Sequence, residues 1–490
     1  MKNNLLKGTL ILTAAGILTR ILGFFYRIYL SNTIGAASLG MYQLIFPIYG
    51  ICFTLYASGL QTAISQIISG ERPTRKCIIT TMQISLCISL SLSIFIYAKS
   101  DWIAASYLRA AECAPMLRIL ALVFPFCGVT AIINGVFYGR NKALVPAITQ
   151  LIEQIVRIGF VVLMTLPLFG APLKLSCELA VWGLIAGELA SNLFNICSLF
   201  FARFSYQKSE SRYAKKVLKL ALPLSSTRLI VSLLGSLEAV LIPAMLLRYG
   251  LTKEECLYVY GVLSGMVIPF LMFPGAITNS LSVLLLPTIS NAYSKNDRRK
   301  IKVTSQIAIK YTLLLGLLAT FIFSMFGKTL GNVIYGNETA GNYLFIMSIL
   351  CPFIYCSTTL ASIINGLGKA HITFRNTVIG LGIRILFLVV LTPKMGITGY
   401  WIGLFISQIL ITILDGQYLY RVSQFHLEIF KWFVFPSLFL YINGFVLKQL
   451  IRLIPLHIRI EYIHLLLIPI ISILFIIYLY KKQIISRTEF

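Results

Sequence analysis

Long apolar runs alternate with short polar interruptions along almost the whole chain. The runs lie near 9–30, 41–68, 78–98, 115–138, 145–167, 179–202, 217–247, 257–290, 303–326, 342–366, 373–392, 397–420, 432–450 and 462–480. Each reaches or approaches the roughly 20 residues that a helix needs to cross the hydrocarbon of a bilayer. The pattern predicts an all-α polytopic membrane protein with about fourteen transmembrane helices.

The interruptions carry the charge, and they carry it unevenly. Alternate loops are basic, holding Arg72, Arg75 and Lys76, then Arg140 and Lys142, then Lys208, Arg212, Lys215 and Lys216. The series continues with Lys295, Arg298, Arg299, Lys300 and Lys302, with Lys369 and Arg375, and with Arg421 and Lys431. The termini join it through Lys2 and Lys7 and through Lys481, Lys482 and Arg487, whereas 31–40 has no charge and 393–396 only Lys394. The link between the last two runs, with Lys448, Arg452 and Arg459, breaks the alternation. Because basic loops stay on the cytoplasmic side, both termini are expected to be cytoplasmic in a multi-pass cell-membrane protein. The even number of crossings agrees. Thr9 to Leu30 is too long, and too interrupted by arginine, for a signal-peptide core, so it reads as a retained first helix.

The two halves of the chain repeat each other. Lys142-Ala143 is followed fifteen positions later by Arg157, and Lys369-Ala370 fifteen positions later by Arg384. Ile-Ile-Asn-Gly occurs at 132–135 and 363–366, each after a Pro-Phe at Pro125 and Pro352, and Trp182-Gly183-Leu184 resembles Trp401-Ile402-Gly403-Leu404. A six-helix unit crosses an even number of times, so its copy keeps the same direction and the repeat is parallel. The expected organisation is an N-terminal six-helix lobe at 1–205, a C-terminal six-helix lobe at 206–425, and two additional helices at 426–490.

Composition rules out other classes. Of 490 residues 58% are hydrophobic and 12% charged, and the mean hydropathy is +0.86. That is about half the roughly 25% charged fraction of a soluble domain. The net charge of +26 follows from the topological loops, and no basic patch with interleaved aromatics stands outside the spans to suggest nucleic acid. The ten cysteines show no Cys-x-x-Cys, so no metal, redox centre or cofactor is expected.

Charges deep within a span cost about 2.5–3.5 kcal/mol on insertion scales and need a reason. Arg20 and Arg27 share one face of the first helix with Gly16 and Gly23, either as a phosphate-binding strip or as two arginines snorkelling to opposite interfaces. Glu153 and Arg157 stand four apart in the favourable order, as a structural pair or part of a substrate site, while Arg384 has Gly380 in place of the acid. Ser225, Ser226, Thr227, Arg228 and Ser232 form a polar run between Pro223 and Pro243, with Glu238 further along. Glu188, Asn192 and Asn195, and Gln408 and Asp415, form stripes that line a cavity or glue helices together. The basic groups Arg20, Arg27, Arg157, Arg228 and Arg384 rival the acids Glu153, Glu188, Glu238 and Asp415, which points toward an anionic substrate. The acids are candidates for coupling or gating.

The opening stretch KGTLILTAAGILTRILGFFYRIYLSNTIGAASLGMYQLIFPIY, above all Thr19 to Phe24 followed by Ile34-Gly35, resembles the stage V sporulation protein B-like polysaccharide transporters. These belong to the multidrug/oligosaccharidyl-lipid/polysaccharide flippase superfamily and are related to lipid II flippases. The resemblance implies a V-shaped pair of bundles, alternating access, and an undecaprenyl-pyrophosphate-linked saccharide as substrate. It places Arg20 at a helix-1 arginine of the lipid II flippases, whose following Arg-Asp is replaced here by Tyr26-Arg27. Their sodium region pairs acids on helices 7 and 11; Glu238 matches the first, but 373–392 contains no acid. The expected reading is a flippase in sporulation, peptidoglycan or polysaccharide synthesis, acting on membrane lipids, with cell-wall synthesis enzymes as candidate partners. A drug/cation antiporter is the alternative. An enzyme is disfavoured because the external loops are short, the longest being about 99–114.

Overall fold

A computed structural model describes residues 2–70, 75–166, 175–202, 213–452 and 460–485. Of the basic loop residues, Arg72, Lys208, Arg212, Arg459 and Arg487 lie outside them. The described residues contain helices and no strand, as hydrocarbon requires of a chain that must pair its own backbone groups. They pack into two compact units, one of Met1–Gly261 with Phe387–Tyr400, the other of Val262–Leu386 with Trp401–Phe490.

The first unit contains α1 (Lys2–Leu44), α2 (Phe46–Phe53), α3 (Gly59–Gly70), α4 (Arg75–Ala98), the short α5 (Ser100–Trp102), α6 (Ala114–Ala121), α7 (Phe124–Gly139), α8 (Leu144–Thr165), α9 (Cys177–Phe201), α10 (Tyr213–Tyr249) and α11 (Lys253–Gly261). Gly35, at φ 79°, kinks α1 in a conformation that only glycine adopts cheaply. Prolines open α2, α6 and α7, where a missing N–H costs nothing, and the chain bends by 47° between α6 and α7. Leu60, Ile64, Ile132, Val136, Val217 and Ala221 join α3, α7 and α10 in one core, so α10 packs within the first unit.

The second unit is built from α12 (Ile268–Met272), α13 (Gly275–Ser294), α14 (Arg298–Tyr335), α15 (Glu338–Met347), α16 (Cys351–Gly366), most of α17 (Ala370–Met395) and α18 (Ile397–Ser423), α19 (Phe435–Arg452) and α20 (Ile460–Lys481). Asp297 caps α14 by accepting from the Lys300 N–H at 2.9 Å, and Asn337 caps α15 in the same way through Ala340. Leu285, Ile289, Ile309, Leu360, Ile363 and Leu419 form its core.

By length and composition, eleven of the described helices can span a bilayer, or twelve if the bent α6–α7 pair is one span. The expected fourteen are not reached for two reasons. The runs at 9–30 and 41–68 fall within a single helical stretch, Ile11–Ser69, and of the last helix, Ile460–Lys481, only the shorter Leu465–Lys481 enters the count.

Glycine sets the closest crossing in the first unit. A Cβ on Gly261 would lie 1.9 Å from the Ala36 carbonyl oxygen, and one on Gly40 2.1 Å from that of Leu257, so α1 and α11 touch backbone to backbone. Gly261→Val is therefore expected to cost about 1–3 kcal/mol or more of stability. Gly16→Ala, whose Cβ meets nothing within 4 Å, should be tolerated. Thermal midpoints of the two purified variants in detergent check this; equal midpoints would refute the close crossing.

Candidate functional site

The polar residues singled out in the spans converge most densely on α8 and α9. Gly183 and Gly187, four apart on α9, bring this about. A Cβ on Gly187 would sit 2.5 Å from the Glu153 carbonyl oxygen, and one on Gly183 3.2 Å from that of Arg157. Small residues at this spacing let membrane helices approach closely. The Gly-x-x-x-Gly signal was present in the sequence and is the feature that places Glu188 beside Arg157.

Around this contact Glu153 and Arg157 form a salt bridge, both side chains being partly buried. Glu188, buried on α9, stands close to Thr130 and Cys127 of α7 and lies within electrostatic reach of Glu153 and Arg157. Tyr26 and Tyr42 of α1 bring their hydroxyls within reach of Arg157, and Arg27 also acts on Tyr42. Arg27 and Arg157 thus address one tyrosine. Gly23 of α1 faces Gln154, while Arg20 on the same helix is exposed. The Arg157 Nε, the Tyr26 hydroxyl and the Glu188 Oε1 are buried atoms without a hydrogen-bond partner, so the cluster keeps polar capacity in hand. The sequence singles out Tyr26 only as the neighbour of Arg27, and Tyr42 and Thr130 not at all, because single polar atoms on apolar helices leave no periodic trace.

Two hydrogen bonds on α9 have counterparts on α18, and a third position matches in place. Thr149 donates to Asn195 at 2.7 Å, and Asn376 donates to Asp415 at 2.8 Å. Asn192 donates to the Phe126 carbonyl at 2.9 Å, and Thr412 to that of Phe353 at 3.1 Å. Glu188 lies beside Thr130 where Gln408, at the matched place, donates to Ser357 at 2.9 Å. The two stripes are therefore engaged between helices. These pairs correct two apparent matches. Gly366, packed on Leu286 and Ile289, corresponds to Gly139 on Ser65 and Ile68, so the Ile-Ile-Asn-Gly motifs are one helical turn out of register. The tryptophans are one residue out, since Gly403 rather than Ile402 matches Gly183, and Trp182 is exposed where Trp401 is buried.

In this register Arg384 matches Arg157, but its surroundings differ. Gly380, packed on Ile411, replaces Glu153; Gln408 replaces Glu188; and Ser407, which accepts from the Arg384 Nε at 2.9 Å, replaces Gly187. Both acids of the first copy have neutral counterparts, while Asp415 replaces the neutral Asn195.

The remaining candidates lie on α10. Arg228 is exposed and donates to the Ser58 carbonyl at 2.9 Å, at the end of a π-helical turn, Thr54–Ser58. Ser232 meets Thr54 at 3.1 Å, and Gly59 admits Ser225 against its backbone, so part of the polar run seals α10 to α3. Glu238 is buried and accepts from the Tyr400 hydroxyl at 2.8 Å. Among the described residues no group of three or more His, Cys, Asp or Glu side chains could hold a metal ion.

Comparison with known proteins agrees with this architecture. Residues 5–293 match the polysaccharide biosynthesis protein family, and residues 262–390 match the MatE family. The chain belongs to the polysaccharide biosynthesis protein family. Stage V sporulation protein B of Bacillus subtilis (strain 168) is 26% identical over 466 residues, 91% of this chain and 89% of the relative. Lipid II flippase MurJ of the same organism is 21% identical over 448 residues, 81% and 79% of the two chains. Among solved structures, lipid II flippase MurJ in an inward closed conformation aligns with a TM-score of 0.74 at 18% identity, covering 97% of this chain and 100% of that one. An inward-facing multidrug resistance MATE transporter aligns with a TM-score of 0.66 at 18% identity, covering 85% and 98%. The fold is that of these membrane transporters.

The repeat generates a direct test. Asp415→Asn and Glu188→Gln each install the other copy's chemistry at a matched position, and both should shift stability by less than about 1 kcal/mol. Glu153→Ala strands the Arg157 guanidinium and should cost about 1–3 kcal/mol. Thermal midpoints of the three variants decide; a large loss for Asp415→Asn would show that the equivalence is wrong.

Proposed function

We propose that this member of the polysaccharide biosynthesis protein family is an alternating-access flippase, moving an undecaprenyl-pyrophosphate-linked saccharide across the cytoplasmic membrane. The cargo is a lipid II-like peptidoglycan precursor or a polysaccharide repeat unit. The observation that carries the reading is the exposure of Arg20 and Arg228 on spanning helices, Arg228 about 22 Å from the start of α10. A guanidinium at such depth needs water or an anion, and its planar fork fits phosphate oxygens. Arg20, Arg27, Arg228 and Arg384 hold the pyrophosphate in this reading. Arg157, committed to Glu153, contributes its field.

The saccharide passes by alternating access of the two copies, 1–205 and 206–425, with 426–490 as an appendage and both termini cytoplasmic. The protein forms and breaks no covalent bond in its cargo. Glu153, Glu188, Glu238 and Asp415 are the coupling or gating groups. Coupling through paired acids on α10 and α17 is not part of this reading, because α17 contains no acid. A drug/cation antiporter is the second reading, favoured by the likeness to the MATE fold and by the buried carboxylates Glu188 and Asp415.

Liposomes reconstituted with the full chain and fluorescent lipid II should show protein-dependent flipping, with a neutral lipid-sugar flipped poorly. Arg20→Ala and Arg228→Ala should each slow it roughly tenfold, the worth of a hydrogen bond to a charged group. Flipping of neither lipid, with drug resistance in an expressing strain, would replace the flippase by the antiporter. Unchanged flipping in both variants would remove the arginines from the site.

A further inference from the structure

We propose that the second unit binds a monoanionic phospholipid of the surrounding bilayer at a site built from α14, the approach to α19 and the end of α20. These segments enclose a cavity of about 500 Å³ lined by Gln306, Lys310, Glu428, Lys431, Trp432 and Gln483, with Ile484 at its edge. The lining shares no residue with the polar cluster of α8 and α9 or with the arginines assigned to the transported lipid.

Three features point to a phospholipid. The first is charge. The lining carries two lysines and one acid, and Lys431 and Glu428 are 3.4 Å apart, each about half exposed, so the lining sums to one positive charge. That complements one phosphodiester. The second is the built character of the polar wall. Lys310 is only 5% exposed, about 18 Å from the start of α14, and its Nζ donates to the Ile484 carbonyl at 2.9 Å. Gln483, with φ 52°, turns the chain after α20 so that this carbonyl meets the lysine. Gln306, Gln483 and the Trp432 indole add neutral donors along the wall. The third is an apolar continuation. One residue further along both segments, at Tyr311 and Ile485, begins a groove of about 250 Å³ walled by Leu281, Leu315, Leu318, Phe475 and Leu479. A polar cavity with a net cation beside an apolar trough suits a headgroup and one acyl chain, as basic pockets between spanning helices do for anionic lipids. A soluble phosphate would use the first part only.

The test uses the purified full chain in neutral detergent, its thermal midpoint followed during titration with dioleoyl phosphatidylglycerol, dioleoyl phosphatidylcholine, or glycerol phosphate. Phosphatidylglycerol alone should raise the midpoint saturably. Lys431→Gln, an exposed position whose loss should spare the fold, should weaken its apparent affinity about fivefold, and Lys310→Met by at least as much. Gln306→Leu keeps the test open should Lys310→Met fail to fold, and should also weaken binding. Equal responses to the two lipids, or wild-type affinity in Lys431→Gln and Gln306→Leu, would leave Lys310 a structural cap on α20 and overturn the site. Stabilisation by glycerol phosphate alone would make it a phosphate site. Displacement of phosphatidylglycerol by an equimolar polyprenyl diphosphate would assign the pocket to the transported lipid, and so overturn a bilayer-lipid site without touching the flippase reading.

Discussion

Polar groups buried among apolar helices must find partners within the protein, and this constraint organises both copies of the repeat. In water a stray hydroxyl or amide can be solvated; between spanning helices it cannot. The bond from Thr149 to Asn195, and that from Asn376 to Asp415, therefore tie α8 to α9 and α17 to α18 at matched points. The bonds of Asn192 and Thr412 to the carbonyls of Phe126 and Phe353 add a third helix to each pair. Once this scaffold is satisfied, the apolar positions around it are free to vary, since lipid and leucine are nearly equivalent solvents.

On that common scaffold the two copies have been charged differently. The first surrounds Arg157 with Glu153 and Glu188; the second gives Arg384 a hydroxyl, a glycine and an amide at the corresponding places. A guanidinium held by carboxylates has its electrostatic reach largely spent. The same fold can therefore set acids beside the guanidinium in one unit and neutral residues at the matched positions in the other without moving a helix. Gly187 and Gly380 show how the packing adapts: the small residue sits on α9 in the first copy and on α17 in the second, so close approach is preserved while the side with room for a polar chain is exchanged.

Much of the fold was legible in the runs of apolar residues, because a spanning helix needs length and apolarity and both are local properties. The spans over α4, α8, α9, α14, α16, α17 and α18 fall where the runs lie. Where one span ends and the next begins was less legible. Gly35 kinks α1 inside the uncharged interruption at 31–40 without ending the helix, so two runs continue as one helical stretch. At the site, ionisable residues could be picked out by their cost in lipid, and Glu153 with Arg157 by spacing alone. Their surroundings could not, because Tyr26 and Tyr42 of α1 come within reach of Arg157, and Thr130 of α7 beside Glu188, only after packing. The partner of Glu238, Tyr400, is likewise remote in sequence.

The two misregistered motifs explain which residues carry positional information in a duplicated membrane protein. Ile-Ile-Asn-Gly and the tryptophan repeats attract the eye, yet apolar residues facing lipid exchange places at little cost, and a tryptophan can be exposed in one copy and buried in the other. A glycine where two backbones meet cannot shift by a turn without a clash, as at Gly139 against Ser65 and Gly366 against Leu286. A buried donor cannot shift without losing its acceptor. Register is therefore kept by contacts with no alternative geometry, small residues at crossings and polar residues with one available partner. Counted from those contacts, the arginines fall into step and the acids fall out of step. The division of chemical labour between the copies appears only in that register.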